Sequence, residues 1–225
     1  MRTRFDEQME QLHVELIKMG SLCEEAIKVS VKGLRAASKE KGEDEETMEE
    51  CRNKVFELEE QIDAKEYEIE TLCYRLLLQQ QPVARDLRTI SSALKMISDM
   101  ERIGDQAADV ADLTEEGIQG YSGSMVHIDD MAKATVKMVT GSVDAFVKND
   151  LELARNVMAS DDEVDRLFER VKEELMDLIY DKQIDAKNSL NLLMAAKYLE
   201  RIGDHAVNVA EWVEYSITGE RNREE

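Results

Sequence analysis

Between Phe5 and about Ser38, the residues Leu12, Leu16, Met19, Cys23, Ile27, Val31 and Leu34 recur every three or four positions among charged neighbours. That is the period of one buried helix face. The polar run Glu40 to Asp44, with Gly42 inside it, interrupts the pattern, and Asp44 offers an N-cap for a second helix. This helix carries Val55, Leu58, Ile62, Ile69, Cys73 and Leu76 and ends near Gln80. Pro82 is tolerated only in a first helical turn, so it marks the start of a third helix bearing Leu87, Ile90, Leu94, Ile97, Ile103, Ala107 and Val110.

Three glycines between Gly117 and Ser124, interleaved with Gln119, Tyr121 and Ser122, form the strongest loop signal and divide the chain. A fourth helix is expected from about Met125 to Lys148, a fifth from the cap Asp150, and a sixth from about Ala186 to Ile217. The expected fold is therefore all-α: six long helices in two similar antiparallel three-helix bundles. Residues 1–120 form the first repeat and 121–225 the second.

An internal duplication supports the division. Glu101-Arg102-Ile103-Gly104-Asp105 returns unchanged as Glu200-Arg201-Ile202-Gly203-Asp204, and Ala107, Val110 and Ala111 answer to Ala206, Val209 and Ala210. Gly104 and Gly203 each cost about 1 kcal/mol relative to alanine within a helix, which close approach of a neighbouring helix would offset.

Composition narrows the function classes. Charged residues are 35% of the chain and aromatics 5%, with a single proline, a balance that suits long amphipathic helices. The formal net charge of -21 disfavours nucleic acid and anionic bilayers and favours cations or basic protein surfaces. No apolar stretch approaches a membrane span and the N-terminus lacks a signal-peptide pattern, so no direct membrane insertion is expected. Cys23, Cys51 and Cys73 lie far apart inside helical patterns and read as buried, reduced thiols. The expected location is cytoplasmic, reaching the inner face of the membrane only through protein partners.

Carboxylates are the candidate chemistry. Side chains four apart share a helix face, so Glu101 with Asp105 and Glu200 with Asp204 each present a two-pronged oxygen ligand. A chain this acidic produces roughly ten such pairs by chance, so one copy carries little weight. Recurrence in both halves carries more, as do the pairs on the preceding helices, Glu59 with Asp63 and Asp161 with Asp165. Asp109 and Asp112 extend the acidic line on the third helix, as Asn208 and Glu211 do on the sixth. Such a line requires a counter-charge, supplied by Arg102 and Arg201 or by a hard cation such as Mg, Mn, Fe or Ca. Metal binding and a salt-bridged surface both remain open on the residues alone. Only Glu10-Gln11-Leu12-His13 fits the Glu-x-x-His pattern of buried di-iron bundles, and His13, His127 and His205 read as surface histidines. No phosphate loop, nucleophile with a base, or zinc-protease motif is present, so nothing indicates an enzyme.

Gln81-Pro82-Val83-Ala84-Arg85-Asp86-Leu87-Arg88, Met100 through Asp105, and Leu199 through Glu211 closely resemble the signatures of the PhoU family, over nearly the whole chain. The resemblance implies two three-helix bundles with metal ions on the bundle surface. The implied ions are iron first, in a multinuclear arrangement, with Mn, Mg or Zn as alternatives. The positions it marks are Glu59, Asp63, Glu101 and Asp105 in one half and Asp161, Asp165, Glu200 and Asp204 in the other. Asp109 stands where the second half has the more usual Asn208, so the two sets need not hold the same number of ions. The resemblance also implies a negative regulator of the phosphate-starvation response that contacts the ATPase subunit of the phosphate ABC transporter and a phosphate-sensing histidine kinase. Oligomeric state is open, a homodimer included. The competing expectation is a metal-dependent helical-bundle enzyme for phosphoester or iron and oxygen chemistry.

Overall fold

The apolar stripes become buried helix faces. The computed structural model describes residues 2–37, 45–80, 82–114 and 127–220, which form helices and their connections with no strand among them. The helices are α1 (Arg2–Ala37), α2 (Glu45–Gln80), α3 (Ala84–Asp112), α4 (Ile128–Lys148), α5 (Leu151–Ala159), α6 (Asp161–Tyr180) and α7 (Ala186–Thr218). Every residue of the expected α1 stripe from Leu12 to Leu34 is buried, as is the α2 stripe from Val55 to Leu76. On α3 the stripe begins later than expected. Leu87 is 46% exposed and burial starts at Ile90. Pro82 lies two residues ahead of α3, with the extended Val83 at the cap position. The expected cap Asp44, the helix start at Met125 and the division at 120/121 fall outside the described residues.

The expected fifth helix is broken in two. Ser160 sits between α5 and α6, its N–H shared between the carbonyls of Asn156 at 3.1 Å and Val157 at 3.0 Å. Its hydroxyl donates to the Asn156 carbonyl at 2.7 Å. Such back-bonding competes with the helix ladder and bends it. Asp161, Asp162 and Glu163 then occupy the first turn of α6, where negative charge is favoured by the helix dipole. Elsewhere the local signals hold. Asp150 caps α5 by accepting from the Leu153 N–H at 3.0 Å, and Asp185 caps α7 by accepting from Asn188 at 2.8 Å.

Helices α1, α2 and α3 pack as one antiparallel set, with α4 to α7 as the second. Lys65 of α2 reaches Glu15 of α1 at 2.7 Å, and Arg52 of α2 reaches Asp112 of α3 at 3.1 Å. In the second set Arg155 of α5 meets Glu214 of α7 at 2.7 Å. The sets join along two antiparallel seams, α3 against α7 and α1 against α4. In the first seam Asp99 Oδ1 accepts from Asn208 Nδ2 and lies 3.0 Å from His205 Nδ1. In the second, Thr140 donates to Glu24 at 3.1 Å. Buried side chains from both sets form one continuous apolar core. The histidines, expected as surface groups, are instead half-buried and take partners in the packing. His13 meets Phe146 edge-on at 5.8 Å, His127 lies 2.8 Å from Glu174, and His205 engages Asp99. Cys23, Cys51 and Cys73 are buried and unpaired.

Candidate functional site: two carboxylate furrows

The repeated string places its glycine where two helices come closest. A Cβ on Gly104 would lie 3.0 Å from Ile62 Cδ1 and 3.3 Å from Ile62 Cγ2, so α2 seats directly on the α3 backbone. Ile62 lies between Glu59 and Asp63, and Gly104 between Glu101 and Asp105. The close approach therefore carries both acidic pairs into one furrow. The second half repeats the device: a Cβ on Gly203 would lie 3.3 Å from Asp161 Oδ1 and 3.4 Å from Val164 Cγ1. Here the carboxylate itself rests against the neighbouring helix.

Electrostatics shows which charges share each furrow. Burial, then the charges of Asp63 and Asp105, push the Glu59 carboxyl above the usual carboxylate range. Asp63 is raised by burial and by Asp105. Burial raises Glu101, with Asp105 adding to the shift and Arg102 opposing it. In the second furrow burial pushes Asp161 up to about 6, reinforced by Asp165, Asp204 and Glu200. Asp204 is raised by burial and Glu200, against the opposing charge of Lys197. Carboxylates held near one another raise one another's pKa because each disfavours a second negative charge nearby.

All eight residues of the two expected sets therefore gather as two clusters of four. Asp109 stands between the first cluster and the α3/α7 seam. Burial raises its carboxyl, with Asp105 and Asp112 adding and Arg201 opposing, and toward the α3/α7 seam its charge adds to the burial that raises Tyr198. Arg102 does fold across the first cluster, with Asp105 at 3.0 Å and Glu101 at 3.4 Å. In the second, Lys197 takes Glu200 at 2.5 Å. Each cluster thus holds four carboxylates against one close cation and is left with excess negative charge. Among the described residues, no three carboxylate, imidazole or thiol groups converge as a ready ion cage. The donor chemistry, all carboxylate oxygen, suits a hard cation, and exposed Asp63, Asp165 and Asp204 side chains can rotate to meet one.

Three participants were not visible in the sequence. Glu66 adds its charge at Glu101, Lys197 partners Glu200, and Asp99 ties the halves together. For Asp99 no sequence signal existed, because its counterpart in the repeat is Tyr198. For Lys197 the three-residue spacing to Glu200 was the available sign.

Comparison with known proteins agrees with the duplicated arrangement. The PhoU domain family matches residues 16–114 and again 128–213. The chain is 34% identical over 226 residues to the phosphate-specific transport system accessory protein PhoU homolog of Clostridium acetobutylicum, covering 98% of this chain and 97% of that one. It is 35% identical over 222 residues to the homolog of the same name from Pseudomonas aeruginosa, covering 96% and 86%. The crystal structure of PhoU from Pseudomonas aeruginosa superposes with a TM-score of 0.82 at 34% identity, covering 96% of this chain and 100% of that one. The regulatory protein PhoU from Streptococcus pneumoniae shares the fold, with a TM-score of 0.84 at 24% identity over 97% and 99% of the two chains. These proteins are named as accessory or regulatory proteins, not as enzymes. With both helical sets matched and the likeness running through nearly all of its length, the chain belongs to the PhoU family.

Proposed function

We propose that this protein is a non-enzymatic accessory regulator of phosphate transport, acting in the cytoplasm as a negative modulator of a phosphate ABC transporter and of phosphate-starvation signalling. The observation that carries this reading is the family match across both halves to relatives named as phosphate transport accessory proteins. Docking would engage the transporter's ATPase subunit and a phosphate-sensing histidine kinase. A rigid acidic scaffold suits recognition of basic protein surfaces, because its net charge of -21 steers such partners and repels nucleic acid. Among the described residues no helix is long and apolar enough to cross a membrane, which fits a role exercised through partners.

The two furrows would hold metal ions, with Glu59, Asp63, Glu101 and Asp105 as donors in one and Asp161, Asp165, Glu200 and Asp204 in the other. A bound ion supplies positive charge where the carboxylates repel one another. Glu59, Glu101, Asp105, Asp161 and Glu200, the half-buried donors, orient the set, while the exposed Asp63, Asp165 and Asp204 swing to complete it. Iron, manganese or magnesium match this oxygen chemistry better than zinc, whose structural sites favour thiolate and imidazole.

In-cell crosslinking at high and low phosphate tests the regulatory reading. The transporter ATPase subunit and the histidine kinase are expected among the adducts, more strongly at high phosphate. Their absence under both conditions, with unchanged starvation-promoter activity when the gene is deleted, rejects it. Elemental analysis tests the metal separately. More than one di- or trivalent ion per chain is expected, lost in the Asp105→Asn, Asp204→Asn double variant.

A further inference from the structure

The second furrow does not end at its carboxylates. Along α7, Asp204, Glu200, Lys197, Leu193, Leu190 and Ala186 follow one another at steps of three or four residues, a single line on the helix. The facing line on α6 runs through Asp161, Asp165, Phe168, Lys172, Met176 and Ile179. At one end lie the four carboxylates. At the other, Leu175, Met176, Ile179, Leu190 and Leu193 line a groove of about 340 Å³ whose walls are almost wholly apolar. Met176 is 60% exposed and Leu190 61%, so these side chains line an open channel and do not fill a core. Between the two ends, Lys172 and Lys197 both stack on the Phe168 ring, at 5.5 and 5.6 Å. Each is also paired, Lys172 with Glu169 at 2.8 Å and Lys197 with Glu200 at 2.5 Å.

The matching lines of the first half carry different side chains. In the register of the repeat, Leu190 answers to Ser91 and Met176 to Tyr74, and the Tyr74 hydroxyl donates to Glu70 at 2.8 Å. The lining of the α6/α7 groove is therefore not repeated residue for residue in the first half, although both furrows carry carboxylates. Twelve or so residues of helix separate groove from carboxylates, about 20 Å at 1.5 Å per residue. A ligand spanning both ends is the size of a peptide helix, not a small molecule.

We propose that the α6/α7 furrow is a docking site for one amphipathic helical segment of a protein partner, whose apolar side chains enter the groove and whose basic end reaches Asp161, Asp165 and Asp204. The charge pattern selects this occupant. The carboxylate end carries excess negative charge in a chain of net charge -21, so arginine or lysine is stabilised there and an acidic end is repelled. The apolar end fits the helix-in-groove mode, in which anchors at i, i+3, i+4 and i+7 provide the affinity. This site goes beyond the regulatory reading above and is open to the basic end when the carboxylates of the second furrow hold no metal ion.

The test is fluorescence anisotropy with the full chain in EDTA and a labelled 20-residue designed peptide. The peptide has leucines at helical spacing in its first half, arginines in its last two turns and alanine or glutamine elsewhere. A second peptide carries glutamate in place of arginine. Saturable binding of the arginine peptide is expected. It should weaken about tenfold or more in Met176→Gln with Leu190→Gln, exposed and charge-neutral changes that circular dichroism will show to be folded. The glutamate peptide should bind at least about tenfold more weakly. Tyr74→Gln, at the matching place in the first half, should leave affinity unchanged. Equal affinity in the groove variant, equal loss in Tyr74→Gln, or no binding by wild type overturns the proposal.

Discussion

Replacing Asp161 by Asn should stabilise this protein at neutral pH in the absence of metal, a sign opposite to that of most substitutions at a helix contact. The carboxylate rests against the α7 backbone beside Gly203, and burial with the fields of Asp165, Asp204 and Glu200 pushes it up to about 6 from its ordinary 3.8. An acid whose pKa is raised on folding holds its proton in the native state over the window between the two values. Stability therefore falls as pH rises through that window, and the penalty is complete above it. Two pKa units correspond to about 3 kcal/mol at most. Solvent screening of a partly exposed group reduces this by about half. Asparagine also gives up a favourable charge in the first turn of α6, about 0.5 kcal/mol. The net expectation is a gain of about 1 kcal/mol at pH 7.5 and about half of that near pH 5. Urea denaturation followed by circular dichroism, with EDTA present, measures both. A loss of stability at pH 7.5, or an equal gain at the two pH values, would refute the electrostatic account of the furrow.

Lys65→Met should cost about 2 kcal/mol in the same assay, because it removes the 2.7 Å partner of Glu15 and leaves that carboxylate, 5% exposed, with Lys18 alone. Gly104→Val should lower stability by about 2–3 kcal/mol, since even a Cβ would press on Ile62 at 3.0 Å and α2 must move off α3 to admit the branched side chain. Thermal unfolding would show the loss, and a neutral outcome would mean that the two helices are not in close contact there. Burial pushes the Cys23 and Cys73 thiols up to about 12 and raises Cys51 as well. Alkylation by iodoacetamide at pH 8 should therefore label none of the three in native protein and all three in guanidinium, as intact-mass measurement will show.

Much of the architecture was legible along the chain, because helical periodicity is a local property. Every stripe residue of α1 and α2 is buried, and Asp150 caps α5 where the pattern placed it. The misreadings share a cause. Leu87 looks like part of the α3 stripe, yet it lies beyond the reach of the core and stays exposed. Ser160 interrupts a pattern that remains periodic across it, because the break depends on one hydroxyl turning back to the Asn156 carbonyl. The histidines carry no sequence sign of their partners, which lie 47 and 106 residues away for His127 and His205.

At the candidate site, the order of residues alone shows which carboxylates stand together on a helix and that the arrangement occurs twice, since a spacing of four residues suffices for the first and an unchanged string for the second. It also marked the two glycines as points of close approach. Which pairs share a furrow is a matter of packing, because it depends on Gly104 meeting Ile62 and Gly203 meeting Asp161 across helices. The packing likewise turned Asp109 toward the α3/α7 seam and continued the second furrow into an apolar groove. Periodicity reports which face of a helix is apolar, but the neighbour that covers or uncovers that face is set by contacts between residues far apart in the chain.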